Sequence, residues 1–150
     1  MRARLVVGFM FCGAHVLLVN KQKPKWQEGL WNGIGGKVER DESPMYAMPR
    51  EFREETCIDT AQDNWTHFAT ETGPEYELFC YRARLLTFGL LPVPKINDAG
   101  EPLRWVNVDT LYGYRKIGNL NWLIPLAQDW RKGSVVQFCF HDDIREKASW

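Results

Sequence analysis

The chain has 150 residues, 45% of them apolar and 25% charged, which suits one globular domain over 1–150 and excludes disordered and fibrous classes. Lysine plus arginine equal aspartate plus glutamate at 19 each, so a binder of polymeric nucleic acid, which carries a basic excess, is not expected. The four cysteines, Cys12, Cys57, Cys80 and Cys139, make no C-x-x-C pair and no zinc spacing with histidine, and they read as buried thiols of a reducing, cytoplasmic compartment.

Arg2 and Arg4 precede an apolar run from Leu5 to Val19 that mimics a signal peptide. Gly8, Gly13 and His15 interrupt it and no small-residue cleavage site follows before Lys21, so two strands, Leu5–Phe11 and His15–Val19, are expected instead of a leader or membrane span. Their continuous apolarity predicts a sheet covered on both faces. Lys21, Lys23 and Lys25 follow in a proline-containing loop; this is either a solvated charge run or, at Lys23, a reach toward phosphate. Gln27–Asn32 leads into a glycine turn at Gly33, Gly35 and Gly36.

A helix begins after Ser43 as N-cap, with Pro44 at its first position, and ends by Thr56 or Cys57. Pro49 predicts a kink or loose first turn. Asp59–Trp65 reads as loop, Glu77–Leu86 as strand, Leu90–Pro102 as a mobile loop with three prolines, and Arg104–Val108 as a short strand. Asn119–Lys132 has Trp122, Leu126 and Trp130 at helical spacing before Gly133. Val135–Phe140 reads as a last strand before a polar tail. Strands interleaved with two helices predict an α/β sandwich around a mixed sheet. His15, His67 and His141 show no partner pattern and take no role.

At about 100° per residue, Glu54 and Glu55 fall on either side of Glu51, bordering the apolar arc of Met45, Met48 and Phe52. Each near pair of carboxylates repels by up to about 4 kcal/mol at a protein surface. A hard divalent cation reverses that sign, takes oxygen ligands and shares them with phosphates. Arg50, four residues before Glu54, is placed to pair with it. An isolated E-x-x-E-E run is usually a solvated helix face. The glycines upstream, which let backbone approach a ligand, favour the metal reading.

These residues resemble the Nudix box, G-x5-E-x7-R-E-U-x-E-E-x-G-U, with Gly36, Glu42, Arg50, Glu51, Glu54, Glu55 and Ile58 in register over 36–58. Phe52 replaces the aliphatic U, and Cys57 replaces the second glycine, where a left-handed helix cap would cost roughly 1–2 kcal/mol. The resemblance implies an α/β/α sandwich with a loop–helix–loop box, and a hydrolase of nucleoside diphosphates linked to another moiety. It implies Mg²⁺ or Mn²⁺ on Glu51, Glu54, Glu55 and the Gly35 carbonyl, Arg50 orienting a glutamate, Glu42 in support, and Lys37 near phosphate. The general base is a helix glutamate or a downstream acid. Glu101 is a candidate further acid, or a solvated loop residue.

Outside the box, Trp31–Glu39 and Asn119–Pro125 resemble the MutT-like branch, which converts (d)NTPs such as 8-oxo-dGTP or dGTP to monophosphate and pyrophosphate. That likeness makes Asn32 and Asn119 candidate purine-edge contacts and Trp122 a candidate to line or buttress the base pocket; the other readings are Asn119 as an N-cap and Trp122 as core packing at helical spacing. ADP-ribose, dinucleoside polyphosphates, capped RNA and a non-catalytic nucleotide sensor are the alternatives. A small nucleotide is the expected partner, with no membrane, and the chain is a monomer or homodimer.

Overall fold

The computed structural model describes residues 2–86 and 89–140; the polar tail and His141 lie outside the described residues. The first two expected strands form β1, Ala3–Cys12, and β2, His15–Asn20, turning at Gly13 with a positive φ of 57°. A 3-10 turn, Lys25–Gln27, leads to two short strands, β3, Trp31–Asn32, and β4, Ile34–Lys37. The expected glycine turn is therefore corrected: Gly35 and Gly36 lie in extended strand, and β4 runs antiparallel to β1 with Val6 opposite Gly36 and Val7 opposite Gly35. Their lack of a side chain serves close approach, since a Cβ on Gly35 would overlap the Val6 carbonyl.

Helix α1, Pro44–Thr56, follows Ser43. Ser43 occupies the N-cap position, yet its hydroxyl makes no cap bond and is buried without a hydrogen-bond partner among the described residues. Helix α1 continues through Pro49, from Pro44 to Thr56. The carbonyl that Pro49 leaves unpaired belongs to Met45, which is half exposed, so water can serve it. Two antiparallel strands follow, β5, Thr66–Thr72, and β6, Tyr76–Leu85. β5 was not expected; Thr70 and Glu71 within it are polar, yet both are buried.

β7, Leu103–Asn107, pairs with β2; α2, Leu120–Asp129, and β8, Val136–Cys139, complete the described chain. β1 pairs parallel with β6 over its whole length, and the sheet order is β3-β2-β1-β6-β5-β8, with β4 beside β1 and β7 beside β2. Strict alternation along β1 builds two cores. Val7, Phe9 and Phe11 face α2 through Leu120, Leu123 and Ile124. Val6 and Met10 face α1 through Met48 and Phe52. Gly8 makes the second packing possible, since a Cβ there would meet Met48 and Trp65 at 2.6–2.8 Å. This is the sandwich around a mixed sheet that strands interleaved with two helices predict, with the α/β/α layering that the resemblance implies. Among the described residues no helix is long and apolar enough to cross a membrane.

Candidate functional site

The acidic residues of α1 divide by environment. Arg50 binds Glu42 through both Nε and Nη2, at 2.7 and 2.8 Å, and Glu51 through Nη1 at 2.9 Å. Its bond to Glu54 is longer, 3.4 Å, and Glu54 is 58% exposed. The expected Arg50–Glu54 pair is thus the weakest of the three, because a bidentate bond to the covered Glu42 outweighs one contact to a solvated partner. Arg50 also donates to the Lys37 carbonyl at 2.9 Å, tying α1 to β4. The Glu51 carboxylate lies against Gly36, whose Cβ would overlap it.

Burial pushes the Glu51 carboxyl above its ordinary value, against the pull of Arg50. Burial pushes Glu55 up to about 8; the Lys21 ammonium opposes this, and the charges of Glu101, Glu51 and Glu54 add to it. Glu55 Oε2 is buried without a hydrogen-bond partner among the described residues. Glu101, far from being solvated, is buried. It accepts from Gln22 N at 2.8 Å, Lys21 Nζ at 3.4 Å and Asn97 Nδ2 at 3.4 Å. The expected mobile loop is corrected here, since Asn97 Oδ1 accepts from the Ala99 and Glu101 backbones and folds 97–101 into a closed turn.

A cleft of about 1380 Å³ is lined by Gly35, Gly36 and Lys37 of β4 and, on its charged side, by Lys21, Lys23 and Lys25. Its far end is apolar, with Leu78, Ile117 and Leu123, and holds Glu71 and Asn119. Asn119 precedes α2 but does not cap it. Instead its Nδ2 donates to Glu71 Oε2 at 3.1 Å, and the Tyr76 hydroxyl donates to Glu71 Oε1 at 2.7 Å. Asn119 Oδ1 is left buried with no partner among the described residues, an arrangement that costs about 1–3 kcal/mol unless a ligand donates to it.

A family model for the NUDIX domain matches residues 1–128. The chain belongs to the NUDIX domain family. Among curated proteins it is similar to the CTP pyrophosphohydrolase of Escherichia coli strain K12, 48% identical over 44 residues, which are 29% of this chain; the match spans about a third of that relative, 33% of its length. Among solved structures it resembles a mutator MutT protein from Bacillus halodurans, with 21% identity and a TM-score of 0.71 over 93% of this chain and 90% of that one. It also resembles the NUDIX domain of Shewanella oneidensis NrtR complexed with ADP ribose, with 19% identity and a TM-score of 0.73 over 86% of this chain and 88% of that one. Likeness at these identities carries the fold.

Within the Nudix frame, the fold brings Gly35, Lys37, Lys23, Asn32 and Asn119 to one cleft, with Glu51 behind Gly36. Two expected base contacts fare differently from Asn119. The Asn32 amide is used internally, its Oδ1 accepting from Gly33 N at 2.8 Å and its Nδ2 donating to Gln27 at 3.1 Å. Trp122 does not line the cleft; it packs on Phe138 with ring centroids 4.2 Å apart, which is the core reading of its helical spacing. Among the described residues no three acidic, histidine or cysteine side chains stand arranged as a closed metal cage, because Arg50 engages Glu51 and Glu54 faces solvent. The donor set still fits a hard divalent cation. It is all oxygen, and the buried, unpartnered Glu55 Oε2 is a ligand atom without a role inside the protein. Glu71 is the residue that sequence reasoning missed. The alternation Thr66, Phe68, Thr70, Thr72 was the available strand signal.

Proposed function

We propose that this Nudix chain hydrolyses the phosphoric anhydride bonds of nucleoside triphosphates, purine (d)NTPs such as 8-oxo-dGTP or dGTP in particular, to monophosphate and pyrophosphate. The observation that supports this most is one cleft running from lysines and the Gly35–Lys37 strand beside α1 to an apolar end with an unsatisfied amide oxygen. That polarity matches a nucleotide, with phosphates at the charged mouth and the base at the closed end. Glu51, Glu54, Glu55 and the Gly35 carbonyl would hold Mg²⁺ or Mn²⁺, with Glu101 a further candidate. When bound, the ion polarises a phosphoryl oxygen and acidifies water. Arg50 fixes Glu51 by its 2.9 Å bond and Glu42 by its fork. Lys37 and Lys23 attract the phosphate chain, and Leu78, Ile117 and Leu123 exclude water from the base.

A cytosine nucleotide is the second reading, favoured by the local 48% identity to a CTP pyrophosphohydrolase. A substrate panel with Mg²⁺ decides between them, counting pyrophosphate and phosphate separately for 8-oxo-dGTP, dGTP, CTP, ADP-ribose and a dinucleoside polyphosphate. Pyrophosphate released fastest from a purine triphosphate supports the first reading. Turnover confined to ADP-ribose or the polyphosphate overturns it, and tight nucleotide binding without turnover makes the chain a sensor.

A further inference from the structure

At the closed end of the cleft an amide and a carboxylate share one hydrogen bond, and the sharing has a direction. Glu71 is fully buried and Asn119 is 5% exposed. An ionised carboxylate only accepts, so the Asn119 group turned toward Glu71 Oε2 is its NH₂, at 3.1 Å. Glu71 Oε1 is occupied by the Tyr76 hydroxyl at 2.7 Å. Burial raises the Glu71 carboxyl above its ordinary value, and the two donors oppose that shift. The other half of the amide, Oδ1, has no partner among the described residues. Asn119 lines the cleft, and the half of its amide that Glu71 does not use is the acceptor Oδ1. A carbonyl set against that oxygen repels it, whereas an exocyclic amine satisfies it.

We propose that Glu71 is a positioning residue that locks the Asn119 amide with its oxygen toward the base, so that the pocket selects amino-bearing bases over their deaminated counterparts. The inference rests on the reading of this cleft as a nucleotide site, and it extends that reading from the reaction to the choice of base. Cytosine is favoured over uracil through its 4-amino group. Adenine and guanine are favoured over hypoxanthine through their 6-amino and 2-amino groups. The lock predicts its own reversal. In Glu71→Gln the Tyr76 hydroxyl holds the new amide oxygen, which turns the new NH₂ toward Asn119. Asn119 must then present its oxygen to residue 71 and its NH₂ to the base, which now favours a carbonyl.

Equilibrium binding of CMP, UMP, AMP and IMP, followed by calorimetry without metal, reads the pocket apart from hydrolysis. Wild type is expected to bind CMP over UMP, and AMP over IMP, by at least about fivefold. Glu71→Gln is expected to invert both ratios, and Asn119→Ala to bring both close to one. A wild-type ratio near or below one, or no binding of any of the four at millimolar concentration, overturns the proposal without any variant. So does a folded Glu71→Gln protein that keeps the wild-type ratios. If triphosphates are not hydrolysed but the ratios hold, the hydrolase reading falls and this one stands; if they are hydrolysed with CTP equal to UTP, only this one falls.

Discussion

Arg50 makes more of the site's charged contacts than any other side chain described here, bonding Glu42, Glu51, Glu54 and the Lys37 carbonyl. Its strongest partner is Glu42, whose carboxyl the guanidinium hydrogen bond holds below its ordinary value, with the Glu39 backbone N–H adding to this and burial opposing it. The sign of the pH effect follows. A carboxylate with a lowered folded pKa contributes stability above its unfolded value, about 4.3, and loses that contribution as pH falls through the folded value. Glu42→Gln is therefore expected to be less stable than wild type by roughly 1–2 kcal/mol at pH 7, with the gap narrowing below about pH 4.3. Urea titrations of both proteins at pH 7 and pH 3.5 measure it. An equal gap at both values would assign the loss to packing and not to charge. The Arg50–Glu42 link also predicts that activity suffers in this variant, since freed Arg50 is available to compete for Glu51.

The elements carry their own tests, and two of them concern glycine. Cys57 ends α1 with φ 62°, the one non-glycine residue with positive φ among those described. Its N–H bonds the Arg53 carbonyl, so the left-handed cap is formed in spite of the side chain. Cys57→Gly should raise stability by about 1 kcal/mol, read as a higher urea midpoint at unchanged m-value. Strand β4 supplies the converse. A methyl on Gly35 meets β1 backbone, which cannot yield, while a methyl on Gly36 meets the Glu51 carboxylate, which can. Gly35→Ala is expected to cost about 1–3 kcal/mol of stability. Gly36→Ala should keep the fold and lower turnover about 10- to 100-fold by displacing Glu51. Comparable unfolding of both variants would sink the distinction.

These cases also mark how far the chain can be read unaided. The box residues of α1 and the continuous apolar run of β1 were legible, because a helical period and a strand buried on both faces leave a one-dimensional trace. β5 was not. Its buried Glu71 is satisfied by Tyr76 on the next strand and by Asn119, 48 residues away, and partners that distant leave no local pattern. The same holds for Glu101, whose burial depends on Lys21 and the backbone of Gln22. Gly35 and Gly36 were noticed as a turn, where the chain is in fact extended. Glycine signals either an unusual φ or a close neighbour, and only the pairing with β1 tells which.

At the scale of the whole molecule, the sheet separates two tasks. Helix α1 packs on one face through Met48 and Phe52, and α2 on the other through Leu120 and Ile124. The proposed phosphate chemistry belongs to the first helix and base recognition to the residue that opens the second. A substrate lying in the cleft touches both ends, yet the side chains at those ends share no hydrogen bond. Groups that bind ground state and transition state alike change KM, and groups engaged only at the reacting bond change kcat. Asn119→Ala should then raise KM about 5- to 10-fold with kcat nearly unchanged. Glu54→Gln should lower kcat about 100-fold or more without loss of fold. Because independent sites add in free energy, the double variant should show the product of the two losses in kcat/KM to within about twofold. Steady-state kinetics on all four proteins complete the cycle. A double variant no worse than Glu54→Gln alone would mean that the base end acts through the acidic helix, and the sheet would then be a lever between the two ends, not a partition.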